Sequence, residues 1–285
     1  MEAKKKSNTV IVFIVVLLLA VFFIIPFFLV ILNSFKTSPD FVANPFSLPT
    51  KLHTENYETA FNTMNFLNSF KNSIIICVIA TGVSVVLSSM NAYVLTRKKW
   101  KITKAFYMIL IAAMVVPFQV IMIPLVKLYG SGLGLTNNIW LVTFIHIGLN
   151  IPSPTFLYSG FITGVPVELD EAALIDGASP ERTFFSIIFP LLKPITMTNI
   201  VFVALSIWND YILASTLLSL KEVKPLPLMT YAFLTTKSAD YAPMMAGLVL
   251  TMLPVMILYL FGQRYIIEGI VAGSVKGCWK TTGFG

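Results

Sequence analysis

The chain has 285 residues, 56% of them hydrophobic and 12% charged, with a mean hydropathy of +0.83. Soluble domains carry about 25% charged residues, so an ordinary soluble enzyme or binding module is excluded and an all-α integral membrane protein is expected. The formal charge of +7 does not make a nucleic-acid surface, because the cations flank apolar runs instead of sharing one basic face. Cys77 lies in an apolar run and Cys278 in the tail, with no Cys-x-x-Cys or His/Cys cluster to frame a metal or disulfide site.

Six spans are expected in chain order. Lys4-Lys5-Lys6 precedes an apolar run from Val10 to Leu32. As a helix it reaches about 34 Å, enough for a hydrocarbon core of about 30 Å. It is longer than a signal-peptide core and reads as a retained first span. Residues 34–69 form an external loop broken by Pro39, Pro45 and Pro49, with 53–68 a weak candidate for a helix along the membrane surface. The second span runs near 70–95 and stops at Arg97-Lys98-Lys99-Trp100-Lys101. The third, 105–128, holds Pro117 and Pro124, which kink it and free backbone carbonyls. Residues 129–137 read as a glycine-rich turn, not a phosphate loop, since no Gly-Lys-Ser/Thr follows. The fourth span, 138–163, is interrupted by Asn150, Pro152 and Pro154. The fifth covers 195–218 and the sixth 243–263, separated by a polar, proline-marked stretch at 219–242.

Between the fourth and fifth spans lies the segment that organises the reading. Residues 168–194 hold Glu168, Asp170, Glu171, Asp176 and Glu181, a dense acidic group that must sit in water between apolar spans. Pro166 suits a first helical turn, and the acids that follow meet the positive end of the helix dipole. Leu169, Ala172 and Ala173 recur at helical spacing as a small apolar face. Gly177 stops this helix, and Ser179-Pro180 starts another as N-cap and first residue. Phe184, Phe185, Ile188 and Phe189 give the second helix its stripe, and Pro190 and Pro194 end or bend the path.

With both termini inside, Lys4, Lys5, Lys6, Arg97, Lys98, Lys99, Lys101, Lys104, Arg182, Lys193, Arg264, Lys276 and Lys280 fall on the inner side, thirteen of the twenty cations. That is the sense the positive-inside rule requires, and it puts the acidic segment in the cytoplasm. The organisation expected is 1–33, an N-terminal cytoplasmic end and first span; 34–69, the external loop; 70–267, a five-span core carrying cytoplasmic helices at 166–190; and 268–285, a cytoplasmic tail. In that tail Gly269, Gly273 and Gly277 recur every four residues, either as a close-packing helix face or as a loose glycine-rich end.

The pattern Glu171-Ala172-Ala173, Asp176-Gly177-Ala178, Phe184, Ile187 and Pro190 closely resembles the coupling motif of binding-protein-dependent ABC importer permeases. Asn33-Ser34-Phe35-Lys36, Pro45–Pro49, Asn56-Tyr57, Asn72-Ser73, Trp208-Asn209-Asp210 and the Gly269–Gly277 tail extend the likeness over most of the chain, toward the carbohydrate branch and the six-span partner of the maltose-type pair. The resemblance implies a type I importer permease fold in the cell membrane. It implies a heterodimer with a second permease, two ATP-binding subunits that hold ATP and magnesium, and an extracellular or periplasmic sugar-binding protein. It implies no catalysis and no cofactor in this chain. The nine motif residues then meet the ATPase.

Trp208, Asn209, Asp210 and Tyr211, with Asn150, are candidates for the substrate path, since sugars take hydrogen-bonding groups and aromatic faces. The same residues also suit helix-to-helix contacts or an interfacial aromatic belt. Gln119 and Tyr158 are weaker candidates, and His146, with no carboxylate near it in sequence, reads as a packed histidine. The alternative function is a secondary transporter for a small polar solute working alone, with Asp210 as its one intramembrane carboxylate. A membrane enzyme is disfavoured because His53 and His146 lie far apart with no nucleophile–base constellation.

Overall fold

Long apolar stretches without period-two alternation can satisfy their backbone only as helices. A computed structural model of the chain describes the backbone of residues 2–234 and 239–277, and the side chains of residues 9, 11–234 and 239–264. Among these, the β-structure is confined to an isolated bridge between Leu234 and Ala239. The chain divides into two compact units, Met1–Asn68 with Leu228–Pro254, and Ser69–Pro227 with Val255–Gly285.

In the first unit, α1 (Glu2–Ser34) carries Pro26 in its interior. Most of its side chains from Ile11 to Phe28 stand exposed around the helix, a surface suited to hydrocarbon or a partner helix. Helix α2 (Ser38–Ala43) follows an N-cap at Thr37, and α3 (Glu55–Thr63) buries Asn56 and Ala60. The segment between α1 and α3 is tied by a polar core. Lys36, 1% exposed, donates from Nζ to the carbonyls of Asn44 at 3.1 Å and Pro45 at 3.2 Å. Asn56 Nδ2 donates to the carbonyls of Ser34 and Lys36, both at 2.8 Å, and Ser34 Oγ lies 2.7 Å from the Tyr57 hydroxyl. Burial pulls the Lys36 ammonium below the ordinary lysine range, partly opposed by Asp40. Three of the short sequence patterns quoted above thus lock one another.

The second unit begins with α4 (Phe66–Arg97), whose first residues belong to the other unit. Helices α5 (Lys101–Val115) and α6 (Phe118–Leu125) follow. Residues Val126–Gly132 continue α6 as a π-helix, and the two arms around Pro117 are bent by 96°. The third expected span is therefore no straight rod. Gly130 and Gly132 sit in the π-helix, and the turn comes later, at Gly134 (φ +65°) and Asn137 (φ +61°). The fourth span comprises α7 (Ile139–Leu149) and α8 (Pro152–Ile162), with Asn150 as the C-cap between them.

Then come α9 (Glu168–Ile175), α10 (Pro180–Thr183), a π-helical turn at Phe184–Ile188, α11 (Phe189–Leu191) and α12 (Lys193–Trp208). The chain bends by 81° between Leu191 and Lys193, where Pro190 and Pro194 occupy the first turns of α11 and α12. Helix α12 extends only about 24 Å by its rise, and past a break at 209–211 the chain continues in α13 (Ile212–Leu217). Helix α14 (Leu226–Met229) lies at the junction of the units. Helix α15 (Tyr241–Gly277) passes from one unit to the other with Pro254 inside it. Its backbone stays helical through Gly277, while the packing face read from Gly269, Gly273 and Gly277 lies outside the described residues. The side chains of 265–277, and all of 278–285, lie outside the described residues.

Among the described residues, four helical stretches are by themselves long and apolar enough to cross a membrane: Ile11–Ser34, Phe66–Arg97, Ile139–Ile162 (α7 with α8) and Tyr241–Arg264. Counting each bent pair as one span raises the number to as many as six.

Candidate functional site

The acidic segment folds as two limbs around a glycine turn. Asp176 caps α9, and Gly177 takes φ +74°. The Gly177 N–H donates to the Leu174 carbonyl at 3.0 Å and the Ala178 N–H to the Ala173 carbonyl at 2.9 Å, the paired bonds of a Schellman motif. Ser179 then N-caps α10, accepting the Arg182 N–H at 3.3 Å, with Pro180 in the first turn. Pro166 stands two residues before α9, with Val167 as its N-cap.

Of the nine motif residues, Ala173 and Phe184 are buried, Ala178 and Ile187 half-buried, and Glu171, Ala172, Asp176, Gly177 and Pro190 exposed. The small apolar face read from Leu169, Ala172 and Ala173 does not bury as a unit: only Ala173 is covered. The stripe on the second limb also splits. Phe184 and Ile188 join a core with Val85, Ala92, Tyr158, Ile162 and Leu192, while Phe185 turns outward. The π-helical turn shifts the register there, and helical spacing of 3.6 cannot anticipate it.

Two apolar residues that the motif does not contain stand at the tip: Leu174 is 71% exposed and Ile175 86% exposed. Sequence reasoning also missed what holds α9. Arg97 Nε donates to Asp170 Oδ2 at 3.0 Å, and Nη2 donates to the carbonyl of Val165 at 3.0 Å. The Tyr93 hydroxyl donates to Asp170 Oδ1, and the Tyr93 ring lies 5.3 Å from that of Phe184. The signal present in sequence was the Arg97 that ends α4, read there only as a topology charge. Glu181 is held below the ordinary glutamate range by a backbone N–H hydrogen bond, then by Ser179.

A second feature is a cavity of about 560 Å³. Its polar lining is Gln119, His146, Asn150, Ser206 and Asp210, among Phe118, Met114, Leu149 and other apolar groups. Residues around the breaks between α5 and α6, α7 and α8, and α12 and α13 line it, and the latter two breaks carry hydrogen-bonded polar groups. At the α7–α8 break Asn150 Nδ2 donates to the His146 carbonyl at 2.9 Å. At the α12–α13 break, Asp210 accepts the N–H groups of Leu213 at 3.3 Å and Ala214 at 3.1 Å, the first turn of α13. His146 Nε2 lies 3.6 Å from Asp210 Oδ2, so the fold supplies the carboxylate neighbour that the sequence near His146 lacks.

Asn150, Asp210 and Gln119 thus share one cavity. Trp208 is buried beside a water-sized pocket that also touches His146 and Asp210, with its ring edge-on to Phe70. Asn209 and Tyr211 are exposed and do not line the cavity. Tyr158 is fully buried, its hydroxyl donating to Thr196 Oγ1 at 2.9 Å, a helix-packing position.

Broken apolar helices around a polar-lined cavity, with an exposed helix–turn–helix between them, are the architecture of an integral-membrane transport protein, and comparison with known proteins gives its class as an ABC importer permease. The chain belongs to the family described as binding-protein-dependent transport system inner membrane component, whose model matches residues 84–271. It is 41% identical over 251 residues to the probable starch degradation products transport system permease protein AmyC of Thermoanaerobacterium thermosulfurigenes, covering 88% of this chain and 91% of that one. It is 34% identical over 253 residues to the melibiose/raffinose/stachyose import permease protein MelC of Bacillus subtilis, with the same coverage of 88% and 91%. Over 256 residues it is 36% identical to the multiple sugar-binding transport system permease protein MsmG of Streptococcus mutans, covering 88% of this chain and 91% of that one. Its fold matches a chain in the crystal structure of a bacterial ABC transporter involved in import of the acidic polysaccharide alginate. The TM-score is 0.75 at 22% identity, over 91% of this chain and 97% of the other.

Proposed function

We propose that this chain is one permease subunit of an ATP-driven importer of sugars or oligosaccharides. It forms half of a heterodimeric path with a second permease and works with two ATP-binding subunits and an external sugar-binding protein. It lies in the cell membrane with six spans and both termini in the cytoplasm. ATP and magnesium belong to the partner ATPase, and this chain carries no catalytic group of its own.

The observation that carries this reading is the elbow at 168–190. A Schellman turn at Gly177 projects Glu171, Asp176, Leu174 and Ile175 outward, while Ala173, Phe184 and Ile188 root both limbs. An exposed apolar tip ringed by carboxylates suits a cleft on another protein. The transport substrate is inferred from the relatives, which are named for transport of starch degradation products and for import of melibiose, raffinose and stachyose. Asp210, Asn150 and Gln119 then serve the path, with Trp208 behind them; Asn209 and Tyr211 keep only the helix-contact or interfacial reading.

Gly177→Trp, and separately Glu171→Gln with Asp176→Asn, test the elbow. Each variant is expected to insert at wild-type level but to lose most uptake of radiolabelled maltotriose or raffinose, whichever the wild type takes up, and the ATPase stimulation that accompanies it. Uptake and stimulation that survive both changes overturn the coupling role. The His146–Asp210 approach is the feature that a carrier working alone would use. Gradient-driven uptake by the purified chain in liposomes lacking any ATPase is the result that would support that alternative.

A further inference from the structure

Helix α4 differs from the other spanning segments. The α5–α6, α7–α8 and α12–α13 stretches each break midway, and α1 and α15 hold an interior proline. Helix α4 runs unbroken over 32 residues with no proline.

Its side chains hydrogen-bond to neighbouring elements along its whole length. At one end Asn72 Nδ2 donates to the Glu222 carbonyl at 2.9 Å, and Ser73 Oγ accepts the Leu226 N–H at 2.7 Å. In the middle Ser88 Oγ donates to the Ile151 carbonyl at 3.0 Å, at the break between α7 and α8 beside the cavity. At the other end Arg97 and Tyr93 occupy both oxygens of Asp170. From Asn72 to Arg97 the helix measures about 38 Å.

The end at Asp170 is built as a clamp. Arg97 and Asp170 side chains are 11% and 17% exposed. Glu168, Glu171, Asp176 and Glu181 are exposed, so Asp170 is the one acid of the segment turned inward. Arg97 also grips the carbonyl of Val165, just before α9, and Tyr93 packs on Phe184 of the second limb. Helix α9 has eight residues, too few to hold its own conformation. A largely buried ion pair with its hydrogen bonds filled resists separation, because parting it strands a charge.

We infer that Arg97 and Tyr93 are positioning residues that clamp Asp170, so that α4 moves with the elbow and carries its displacement to the cavity break and the 222–226 loop. The inference rests on the docking of the elbow on an ATPase. An uninterrupted helix passes an end displacement along its axis, whereas a broken span absorbs it at the break.

The test uses the complex recovered from its native membrane through a tag on this chain, placed in nanodiscs, with and without the non-hydrolysable nucleotide AMP-PNP. Amide hydrogen exchange is read at 168–178, 147–151 and 222–226. In the wild type the nucleotide is expected to alter exchange at all three. In Arg97→Gln the response at 168–178 should persist, while that at 147–151 and 222–226 falls about tenfold, within the scale of coupling through packed networks. Tyr93→Phe should lose about twofold and Arg97→Lys an intermediate amount, with unfolding temperature unchanged. Should Arg97→Gln fail to assemble, Tyr93→Phe and Arg97→Lys decide. A response that reaches 222–226 undiminished in all assembled variants overturns the clamp alone. Absence of any nucleotide response at the wild-type elbow overturns the docking reading and the clamp with it.

Discussion

Gly177 shows how far a single residue can be read. Its neighbours stop one helix and start another, and a residue free of a Cβ takes φ +74° at the least cost. No side chain crowds the position, so the requirement is conformational and not one of space. Glu181, a few residues on, gives a pH dependence. Its folded carboxyl lies below the ordinary glutamate value of about 4.3, chiefly through a backbone N–H, then Ser179. The unfolded segment therefore binds the proton more tightly. The contribution is full above about pH 4.3 and is lost as the pH falls through the folded value. Amide exchange at 180–184, corrected for intrinsic rates, should rise more on acidification in wild type than in Glu181→Gln. Equal rises would refute the assignment. The effect is small, since the exposed group is screened by solvent. Asp210 was legible only as a carboxylate in an apolar run; that it would face His146 was not, because 64 positions separate them.

At the scale of elements, proline marked every expected break, but not its geometry. Pro117 produces a 96° bend, and Pro190 and Pro194 flank one of 81°. A missing N–H frees a carbonyl, but tertiary packing sets the angle. Helix α15 meets α12 at Gly262, where an added Cβ would lie 2.6 Å from Val201 Cγ2. Val201 is 3% exposed and has little room to yield. Gly262→Ala should therefore cost about 1–3 kcal/mol, measured as a lower unfolding temperature of the purified chain in detergent. Adding Val201→Ala should recover most of it; no recovery would mean that the two helices are not in this contact. The sequence marked the later glycines, Gly269, Gly273 and Gly277, and passed over Gly262. A lone glycine in a helix carries no local sign of the neighbour that requires it.

For the whole molecule the prediction concerns sidedness. In a background with Cys77 and Cys278 replaced by Ala, Asp176→Cys should react with an impermeant maleimide only from the cytoplasmic side. Lys221→Cys should react only from outside. The reverse pattern would invert the topology and remove the elbow from any ATPase. The count of cations determines this expectation, because positive residues flanking short loops stay on the inner side. The stretch at 34–69, expected outside, shows the limit of such counting. Lys36 enters the tally as an outer charge, yet it is buried and spends its ammonium on two backbone carbonyls.

Sequence alone determined the membrane class, where the long apolar helices lie, the glycine turn and the cap at Ser179. Each of these depends on local composition or on the conformational preference of one or two residues. Tertiary structure decided which motif residues stay exposed, that Leu174 and Ile175 form the tip, that Asp170 belongs to Arg97 and Tyr93, and that His146 meets Asp210. Those facts depend on residues distant in the chain sharing one small volume, and no local pattern encodes which distant partner will arrive.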